Sequence, residues 1–461
     1  MKIKSLKLTN HPVLKNSEFS FETDRVIQDI TLLVGENGCG KTIFLEELFK
    51  IINTGFILWN DGIGRKIILE LSDEEKTLIE APSNILTFDY VDEGENSWRR
   101  FKIYDVLNTD ITTKLSYKLT HGEINKLLKC AYSTVEINFS SKNIDSVKAT
   151  SVDTEEKPKQ KSSENLATEI AQLLVDIKAQ DDAEDAKWME EHRGETLEIP
   201  KIERKLDRFR HAYRNLFEGK ELCDIRPEDG FQKILFKDLK DGSTFEISKL
   251  STGEKQVVYR VGYLLRNLKT IFGGVILIDE PELSLHPRWQ MKYINFLREL
   301  FTENGKMTVQ FIIATHSPYL LKNLPLDSVG AMIFTKDDGN LTIKNANKTW
   351  SLFRNGPTIG EINHYAFKLS TIEFHNELYG YIQEKEQKFF ETEIEAFFVF
   401  KGISKDKKWI RIKNGVTQPP DDVTLMTYIR NSIHHPENTF NVIFSDLELK
   451  NSIEVMIPLT K

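Results

Sequence analysis

The chain has 461 residues, of which 40% are hydrophobic and 29% are charged, and its formal net charge is −8. This balance is typical of a globular protein with a substantial core, and the acidic charge argues against a protein that coats nucleic acid with its whole surface. No aliphatic run approaches the length of a membrane span, and the first ten residues lack the apolar core of a signal peptide. The three cysteines show no metal-ligand or disulfide spacing, so we expect a cytoplasmic protein without a membrane partner.

The first elements are strands that alternate apolar and polar residues, followed by a buried strand, a glycine-rich turn and a helix. The buried strand is Asp29–Val34, the turn begins at Gly35, and apolar residues recur at helical spacing over Ile43–Ile52. Further strand-like runs follow at 67–71, 85–90 and 134–139. These elements predict one α/β lobe over residues 1–143.

A large insertion follows the first lobe. Within Asp145–Asn165 almost no large apolar residue follows Val152, which predicts an exposed or disordered linker. Two stretches with helical apolar spacing come next, Leu166–Ile177 and Ile202–Leu216. The second carries a row of basic side chains, which we interpret as a solvated face rather than a nucleic-acid stripe. Residues 144–230 are therefore assigned as a linker and helical insertion.

Strands return after the insertion. A helix that begins at Thr252 leads to two buried strands, Val275–Ile278 and Val309–Ala314. These elements predict a second α/β lobe over residues 231–345. The remaining residues, 346–461, are predicted to form a separate and mainly helical module.

The segment between the first buried strand and its helix reads GENGCGKT, which fits the P-loop pattern G-x-x-x-x-G-K-[ST]. Glycines let backbone N–H groups close around phosphates, and the N-terminus of the next helix adds positive potential. Lys41 would reach the β- and γ-phosphates, and the Thr42 hydroxyl would hold Mg²⁺. The predicted cofactors are therefore ATP and Mg²⁺. The predicted ATP-binding residues of this loop are Gly35, Asn37, Gly38, Gly40, Lys41 and Thr42.

Two carboxylates follow the buried strand Val275–Ile278, namely Asp279 and Glu280. This position brings Asp279 near the metal ion, directly or through water. Glu280 can then orient and activate an attacking water as the general base. Hydrophobic residues followed by Asp-Glu form a weak pattern alone, but the preceding P-loop makes it specific.

The segment Leu250–Gln256 reads LSTGEKQ and resembles the signature motif of the ABC ATPase superfamily, LSxGE. A serine hydroxyl, a close-approach glycine and a helix N-terminus together make a second phosphate-binding surface. In the superfamily this surface closes on the γ-phosphate held by the partner subunit. The resemblance thus implies an ATP-sandwiched homodimer, or a higher oligomer, in which Ser251, Gly253 and Glu254 bind ATP. His316 matches the switch histidine, a catalytic residue that contacts the γ-phosphate.

The order of P-loop, signature, Asp-Glu strand and histidine identifies the fold class as α/β. The expected architecture is an ABC-type P-loop ATPase head with a large helical insertion and a mainly helical C-terminal module. Within the superfamily, Glu280–Pro287 is similar to the branch that contains OLD nucleases and RecF-like and SMC-like ATPases. No glutamine fits the Q-loop, so the first-lobe residue that would sense Mg²⁺ is unassigned.

Two tail segments, 371–381 and Tyr428–Asn438, together with the cassette resemble the ATPase subunit of the Septu antiphage system. That subunit works with an HNH nuclease subunit, and the resemblance covers essentially the whole chain. It implies a regulatory ATPase whose dimer geometry, set by ATP, controls the nuclease partner. Nucleic acid would be contacted through the complex.

Arg430, Asn431 and His435 also fit R-x4-H, the catalytic pattern of HEPN ribonucleases. The arginine would stabilise phosphorane charge and the histidine would move a proton. On a regular helix positions five apart diverge by about 140°, whereas Arg430 and His434 diverge by about 40°. A structural polar cluster or a partner-docking surface is the alternative for these residues. Two other functions stay open, an ATPase-gated HEPN-like ribonuclease and an SMC-like or RecF-like DNA-repair ATPase.

Overall fold

The computed structural model describes most of the chain in two compact units. The units are Met1–Leu320 with Leu326–Ile343, and Leu321–Pro325 with Lys344–Lys461. No helix within the described residues is long and apolar enough to cross a membrane. The described residues are 1–54, 57–59, 61–90, 98–115, 128–135, 140–153, 159–193, 204–217, 219–322, 329–337, 340–346 and 357–460.

The chain up to residue 345 contains strands and helices in alternation. Its strands are β1 (Lys2–His11), β2 (Lys15–Ser20), β3 (Glu22–Thr23), β4 (Val26–Ile27), β5 (Ile30–Gly35), β6 (Ile57–Trp59), β7 (Gly64–Glu70), β8 (Ile85–Tyr90), β9 (Trp98–Arg100), β10 (Lys102–Tyr104), β11 (Cys130–Ser133), β12 (Lys159–Lys161), β13 (Lys220–Glu228), β14 (Phe231–Asp238), β15 (Thr244–Glu246), β16 (Val275–Asp279), β17 (Thr302–Glu303), β18 (Lys306–Met307), β19 (Gln310–Thr315), β20 (Val329–Asp337) and β21 (Asn340–Asn345). Its helices are α1 (Lys41–Asn53), α2 (Asp73–Leu78), α3 (Leu166–Glu191), α4 (Lys205–Leu216), α5 (Thr252–Arg266), α6 (Pro287–Leu300) and α7 (Pro318–Leu321).

A seven-stranded sheet with the order β12-β11-β16-β19-β5-β20-β21 carries the main core of the first unit. Its strands pair in parallel from β12 to β20. Every residue of β5, β16 and β19 is buried, which explains their continuous apolar sequences. Because parallel strands point the same way, the carboxyl ends of β16, β19 and β5 meet at one edge of the sheet.

A second, antiparallel sheet has the order β10-β8-β7-β1-β2 and shares a core with α1 and the main sheet. The ring of Phe19 on β2 lies 4.1 Å from that of Phe44 on α1 and 5.8 Å from that of Phe334 on β20. Arg65 on β7 is buried, and its guanidinium forms two 2.8 Å hydrogen bonds with the Asp61 carboxylate. Such a buried charge is tolerable because it is paired.

The segment 145–165, predicted as an exposed or disordered linker, is mostly exposed in its described parts but also contains a short strand. Residues 159–161 form β12, which pairs with β11 at the edge of the main sheet. The backbone N–H of Lys148 donates to Asp176 Oδ1 on α3 at 2.7 Å. A short edge strand is held by main-chain hydrogen bonds, so its own sequence need not be apolar. The predicted helical insertion also contains a strand, β13, which pairs with β14.

Helices α3 and α4 form the helical part of the insertion. The buried carboxylate of Asp181 on α3 accepts the backbone N–H groups of Lys205 at 3.1 Å and Leu206 at 2.9 Å, which caps α4. Arg208 on the basic face of α4 pairs with Asp153 at 2.6 Å. This face is thus engaged with carboxylates of the same chain. Residues 201–203, where the helix was predicted to begin, lie outside the described residues.

The second unit is mainly helical, as the sequence predicts. Its core is formed by apolar side chains of the four later helices, among them Phe374, Leu378, Ile394, Ile429 and Ile453. Its helices are α8 (Ile359–Phe367), α9 (Ile372–Lys385), α10 (Glu391–Phe400), α11 (Leu425–His434) and α12 (Asp446–Met456). Its strands are β22 (Lys407–Trp409), β23 (Ile412–Lys413), β24 (Val416–Thr417) and β25 (Asp421–Val423).

Candidate nucleotide-binding site

The turn from β5 into α1 depends on three glycines with positive φ: Gly35 at 145°, Gly38 at 74° and Gly40 at 96°. A Cβ atom on Gly35 would lie 2.1 Å from the carbonyl oxygen of Phe334, so only glycine fits there. Helix α1 begins at Lys41 without a side-chain cap. The first backbone N–H groups of this helix can therefore donate hydrogen bonds to a bound anion.

The Lys41 ammonium is buried inside this turn. Its Nζ donates to the carbonyl oxygens of Gly35 at 2.8 Å and Glu36 at 2.9 Å. The same Nζ lies 3.4 Å from Nδ1 of His316, which follows β19. Burial lowers the pKa of Lys41, partly offset by nearby Cys39. The loop thus holds one positive charge at its centre, where the P-loop pattern predicts phosphate.

Asp279, the last residue of β16, lies beside Thr42 and is 1% exposed. Burial raises the pKa of Asp279 to about 6, against the opposing effect of a hydrogen bond with Thr42. Among the described residues, Asp279 Oδ1 has no hydrogen-bond partner. A hydroxyl and a carboxylate oxygen are the hard ligands that Mg²⁺ prefers. Thr42 and Asp279 therefore fit the predicted metal.

The remaining ligands of such an ion would come from water and phosphate, which is usual for Mg²⁺. The described ranges contain no group of three or more His, Cys, Asp or Glu side chains arranged to hold a metal. Burial, together with the charge of the nearby Asp279 carboxylate, raises the pKa of the Tyr132 hydroxyl on the neighbouring strand β11. Sequence reasoning missed Tyr132, because nothing in the sequence shows the register between β11 and β16.

Glu280 and His316 form a pair next to Asp279. Glu280 adopts a left-handed φ of 44°, and its N–H donates to the Ala314 carbonyl oxygen at 2.9 Å. Its Oε1 lies 3.1 Å from Nε2 of His316. Burial and the charge of Lys41 lower the pKa of His316, whereas the Glu280 carboxylate raises it. A carboxylate in contact with an imidazole can take a proton from a water molecule.

The signature segment caps helix α5. Ser251 Oγ accepts the Glu254 N–H at 3.4 Å, and Glu254 Oε2 accepts the Ser251 N–H at 2.8 Å, which completes a capping box. Lys220 Nζ lies 2.6 Å from Glu254 Oε1. The Glu254 carboxylate thus caps the start of α5 and forms an ion pair with Lys220. Its contact with ATP stays a prediction. Ser251 is exposed, whereas Gly253 is buried.

The structure therefore brings Lys41, Thr42, Asp279, Glu280 and His316 together at one edge of the main sheet. In the loop between β5 and α1, Asn37 and Gly38 are exposed. The signature residues lie at the N-terminus of α5, and their action on a partner subunit's nucleotide stays a prediction.

The end of β11 lies beside the end of β16 that precedes Asp279, and the first-lobe residue that would sense Mg²⁺ stays unassigned. Ser133 pairs in register with Ile278, one residue before Asp279. Its hydroxyl is buried and lacks a hydrogen-bond partner within the described part of the chain. Nη2 of Arg260 lies 3.5 Å from the Val135 carbonyl oxygen. Residues 136–139, part of a predicted strand, lie outside the described residues.

The tentative C-terminal site lies on and after α11. Arg430 Nη1 donates to Asn431 Oδ1 at 3.0 Å, and Asn431 is 1% exposed. His435 follows the last helical residue, and its Nδ1 lies 3.3 Å from Glu437 Oε1. Burial, with the charges of Arg430 and His435, lowers the pKa of His434. Arg430 and His435 are each engaged with a neighbouring side chain, and a catalytic role for them stays a prediction.

Comparison with known proteins gives relatives with modest identity. Retron Vc95 probable ATPase of Vibrio cholerae serotype O1 biovar El Tor is 34% identical over 100 residues, which is 20% of this chain and 18% of that protein. Retron Ec83 probable ATPase of Escherichia coli is 24% identical over 248 residues, 50% of this chain and 41% of that protein. Septu protein PtuA of Bacillus thuringiensis is 29% identical over 99 residues, 19% of this chain and 24% of that protein. Each match spans less than half of the relative's own length.

Solved structures show a distant likeness. The SMC head domain from Thermotoga maritima aligns with a TM-score of 0.39 and 15% identity over 75% of this chain and 99% of that chain. The SmcHead bound to the C-winged helix domain of ScpA aligns with a TM-score of 0.40 and 13% identity over 74% of this chain and 97% of that chain. Likeness at this level is too weak to assign a function.

A family model covers a larger part of the chain. The model described as "AAA domain, putative AbiEii toxin, Type IV TA system" matches residues 30–322. The match is well over half of the 461 residues and includes the P-loop, the signature segment, the end of β16 and His316. This chain therefore belongs to that family of AAA-domain proteins.

Proposed function

We propose that this chain binds and hydrolyses ATP. The observation that carries the proposal is the position of His316, which lies 3.4 Å from Lys41 Nζ and 3.1 Å from Glu280 Oε1, next to the buried Asp279 carboxylate. A phosphate-binding cation, a metal-binding carboxylate and a proton acceptor are the parts that phosphoryl transfer to water requires. Membership of the AAA family and relatives named as probable ATPases support the same activity.

Each residue of the site has one task in this proposal. The P-loop N–H groups and Lys41 bind the phosphates, while Thr42 and Asp279 hold Mg²⁺, which neutralises phosphate charge when bound. Glu280 accepts the proton of the attacking water, and His316 contacts the γ-phosphate. The exposed Ser251 lies at the N-terminus of α5 and completes the site of a second copy, so the active form is a homodimer or a higher oligomer.

We also propose that the chain is the ATPase subunit of an antiphage defence complex. The tail segments resemble the Septu ATPase subunit, and relatives are named Septu protein PtuA and retron probable ATPases. In this role, ATP-dependent dimer geometry controls an HNH nuclease partner, and nucleic acid is bound through the complex. The second unit, with its own helical core, is the part available to contact that partner.

Replacing Glu280 by glutamine tests the proposed hydrolysis. The amide cannot accept the proton of water, so turnover should fall by about 100-fold or more while ATP binding persists. Phosphate release would be measured beside nucleotide binding, and light scattering should show an ATP-stabilised dimer. Glu299→Gln, at an exposed position on α6, is the matched control and should behave as the wild type. A Glu280→Gln chain that hydrolyses ATP at the normal rate would refute the role of Glu280.

A further inference from the structure

Glu282 is a buried carboxylate that none of the sequence motifs assigns. It lies two residues after Glu280 and is 9% exposed. Its Oε1 accepts the backbone N–H of His316 at 2.5 Å. The hydrogen bond joins two segments 34 residues apart, the turn after β16 and the residue after β19.

A carboxylate at this depth is costly, because burial penalises its charged form. Burial raises the pKa of Glu282, and the hydrogen bond from the His316 N–H opposes this effect. An apolar side chain of similar length would avoid this cost. The Glu282 side chain therefore does more than pack against its neighbours. Its hydrogen bond with the His316 N–H indicates its role.

The turn that carries Glu282 is fixed from its other side by helix α5. Arg260 Nη1 donates to the Asp279 carbonyl oxygen at 2.8 Å, and Gln256 Nε2 donates to the Pro281 carbonyl oxygen at 3.3 Å. The backbone on both sides of Glu280 is thus anchored to α5. The Glu282 carboxylate links this anchored turn directly to the backbone N–H of His316.

The imidazole of His316 has two contacts that depend on its backbone position. Its Nε2 lies 3.1 Å from Glu280 Oε1, and its Nδ1 lies 3.4 Å from Lys41 Nζ. A shift of about 1 Å in the backbone would lengthen both contacts beyond hydrogen-bonding range. We propose that Glu282 is a positioning residue that holds His316 against Glu280 and Lys41, an inference that rests on the proposed ATPase activity.

Two substitutions separate the hydrogen bond from the packing. Glu282→Gln keeps an oxygen that accepts the His316 N–H, whereas Glu282→Met keeps the length and removes the acceptor. Glu282→Met should lower kcat by about 100-fold, the usual effect of misplacing a catalytic group by about 1 Å. Its KM for ATP and its Tm should stay near the wild-type values, because nucleotide binding and packing are retained. Glu282→Gln should keep kcat within about threefold, and Glu299→Met is the matched surface control.

Hydrogen exchange of the peptide that contains His316 gives a readout independent of turnover. Glu282→Met should expose the His316 amide and speed its exchange, whereas Glu282→Gln should not. Unchanged exchange in Glu282→Met would overturn the inference whether or not the chain is an ATPase. Faster exchange with an unchanged kcat would overturn the positioning role. A wild-type chain without ATPase activity would refute the proposed function and with it the positioning role, while faster exchange in Glu282→Met would still support the structural link.

Discussion

Replacing Gly253 by alanine tests whether the signature segment must approach the turn after β16 within the same chain. A Cβ atom at Gly253 would lie 2.2 Å from the carbonyl oxygen of Ser284, 3.2 Å from its carbonyl carbon and 3.8 Å from Cα of Leu285. All three atoms belong to the backbone, so no side chain can rotate away. Ordinary contact begins at 3.4 Å, and the two segments must therefore separate by about 1 Å.

The expected cost follows from this displacement. Forcing one methyl group into a packed contact typically costs about 1–3 kcal/mol, which corresponds to a Tm lowered by several degrees. Moving the N-terminus of α5 by about 1 Å should also lower kcat by about 100-fold, because Ser251 would no longer reach the nucleotide bound by a second copy. Thermal unfolding and phosphate release would be measured on the same preparation.

Gly380→Ala is the matched control. Gly380 lies on the exposed face of α9, and a Cβ atom there would meet nothing within 4 Å. Alanine is the better helix former by about 1 kcal/mol, so this change should keep or raise Tm and leave kcat unchanged. If Gly253→Ala kept both the wild-type Tm and the wild-type rate, the argument from close backbone approach would be refuted.

The composite site and the C-terminal module yield two more tests. Lys41→Ala and Ser251→Arg chains should each be inactive alone, but an equal mixture should recover about a quarter of the wild-type rate, since half of the dimers are mixed and each has one intact site. Absence of rescue in mixed dimers shown to form by native mass spectrometry would count against signatures that act in trans. The purified chain should be inert toward RNA, and Arg430→Ala should leave its ATPase rate unchanged. Metal-independent RNA cleavage that disappears in Arg430→Ala or His435→Ala would instead support the HEPN-like ribonuclease.

The sequence predicted the parts of the site that are local in the chain. The turn Gly35–Thr42 and the strand end at Asp279 and Glu280 each place their functional atoms within a few residues of a buried strand. The P-loop pattern, followed by an apolar strand that ends in two carboxylates, predicted that Asp279 lies near the Mg²⁺ held by Thr42. Local patterns of this kind need no knowledge of the tertiary structure.

Contacts between distant segments could not be predicted in this way. The link from Glu282 to His316 and the proximity of Tyr132 to Asp279 depend on strand register, which tertiary packing sets. The short strand inside the predicted linker was missed for a related reason. Composition reports how much apolar surface a segment can bury, whereas β12 is held through its backbone by a neighbouring strand.

Helix α5 connects the two halves of the proposed reaction. Its N-terminus presents the exposed Ser251, and further along it the buried Arg260 and Gln256 hold the carbonyl groups on either side of Glu280. Ser251 and Arg260 are separated by about 14 Å along this helix. In the proposed dimer, Ser251 of the second copy completes the site at each P-loop, while Arg260 and Gln256 hold the backbone around Glu280 in the copy that binds the nucleotide. A homodimer of Ser251→Arg chains should therefore still bind ATP at its own P-loops and yet fail to hydrolyse it.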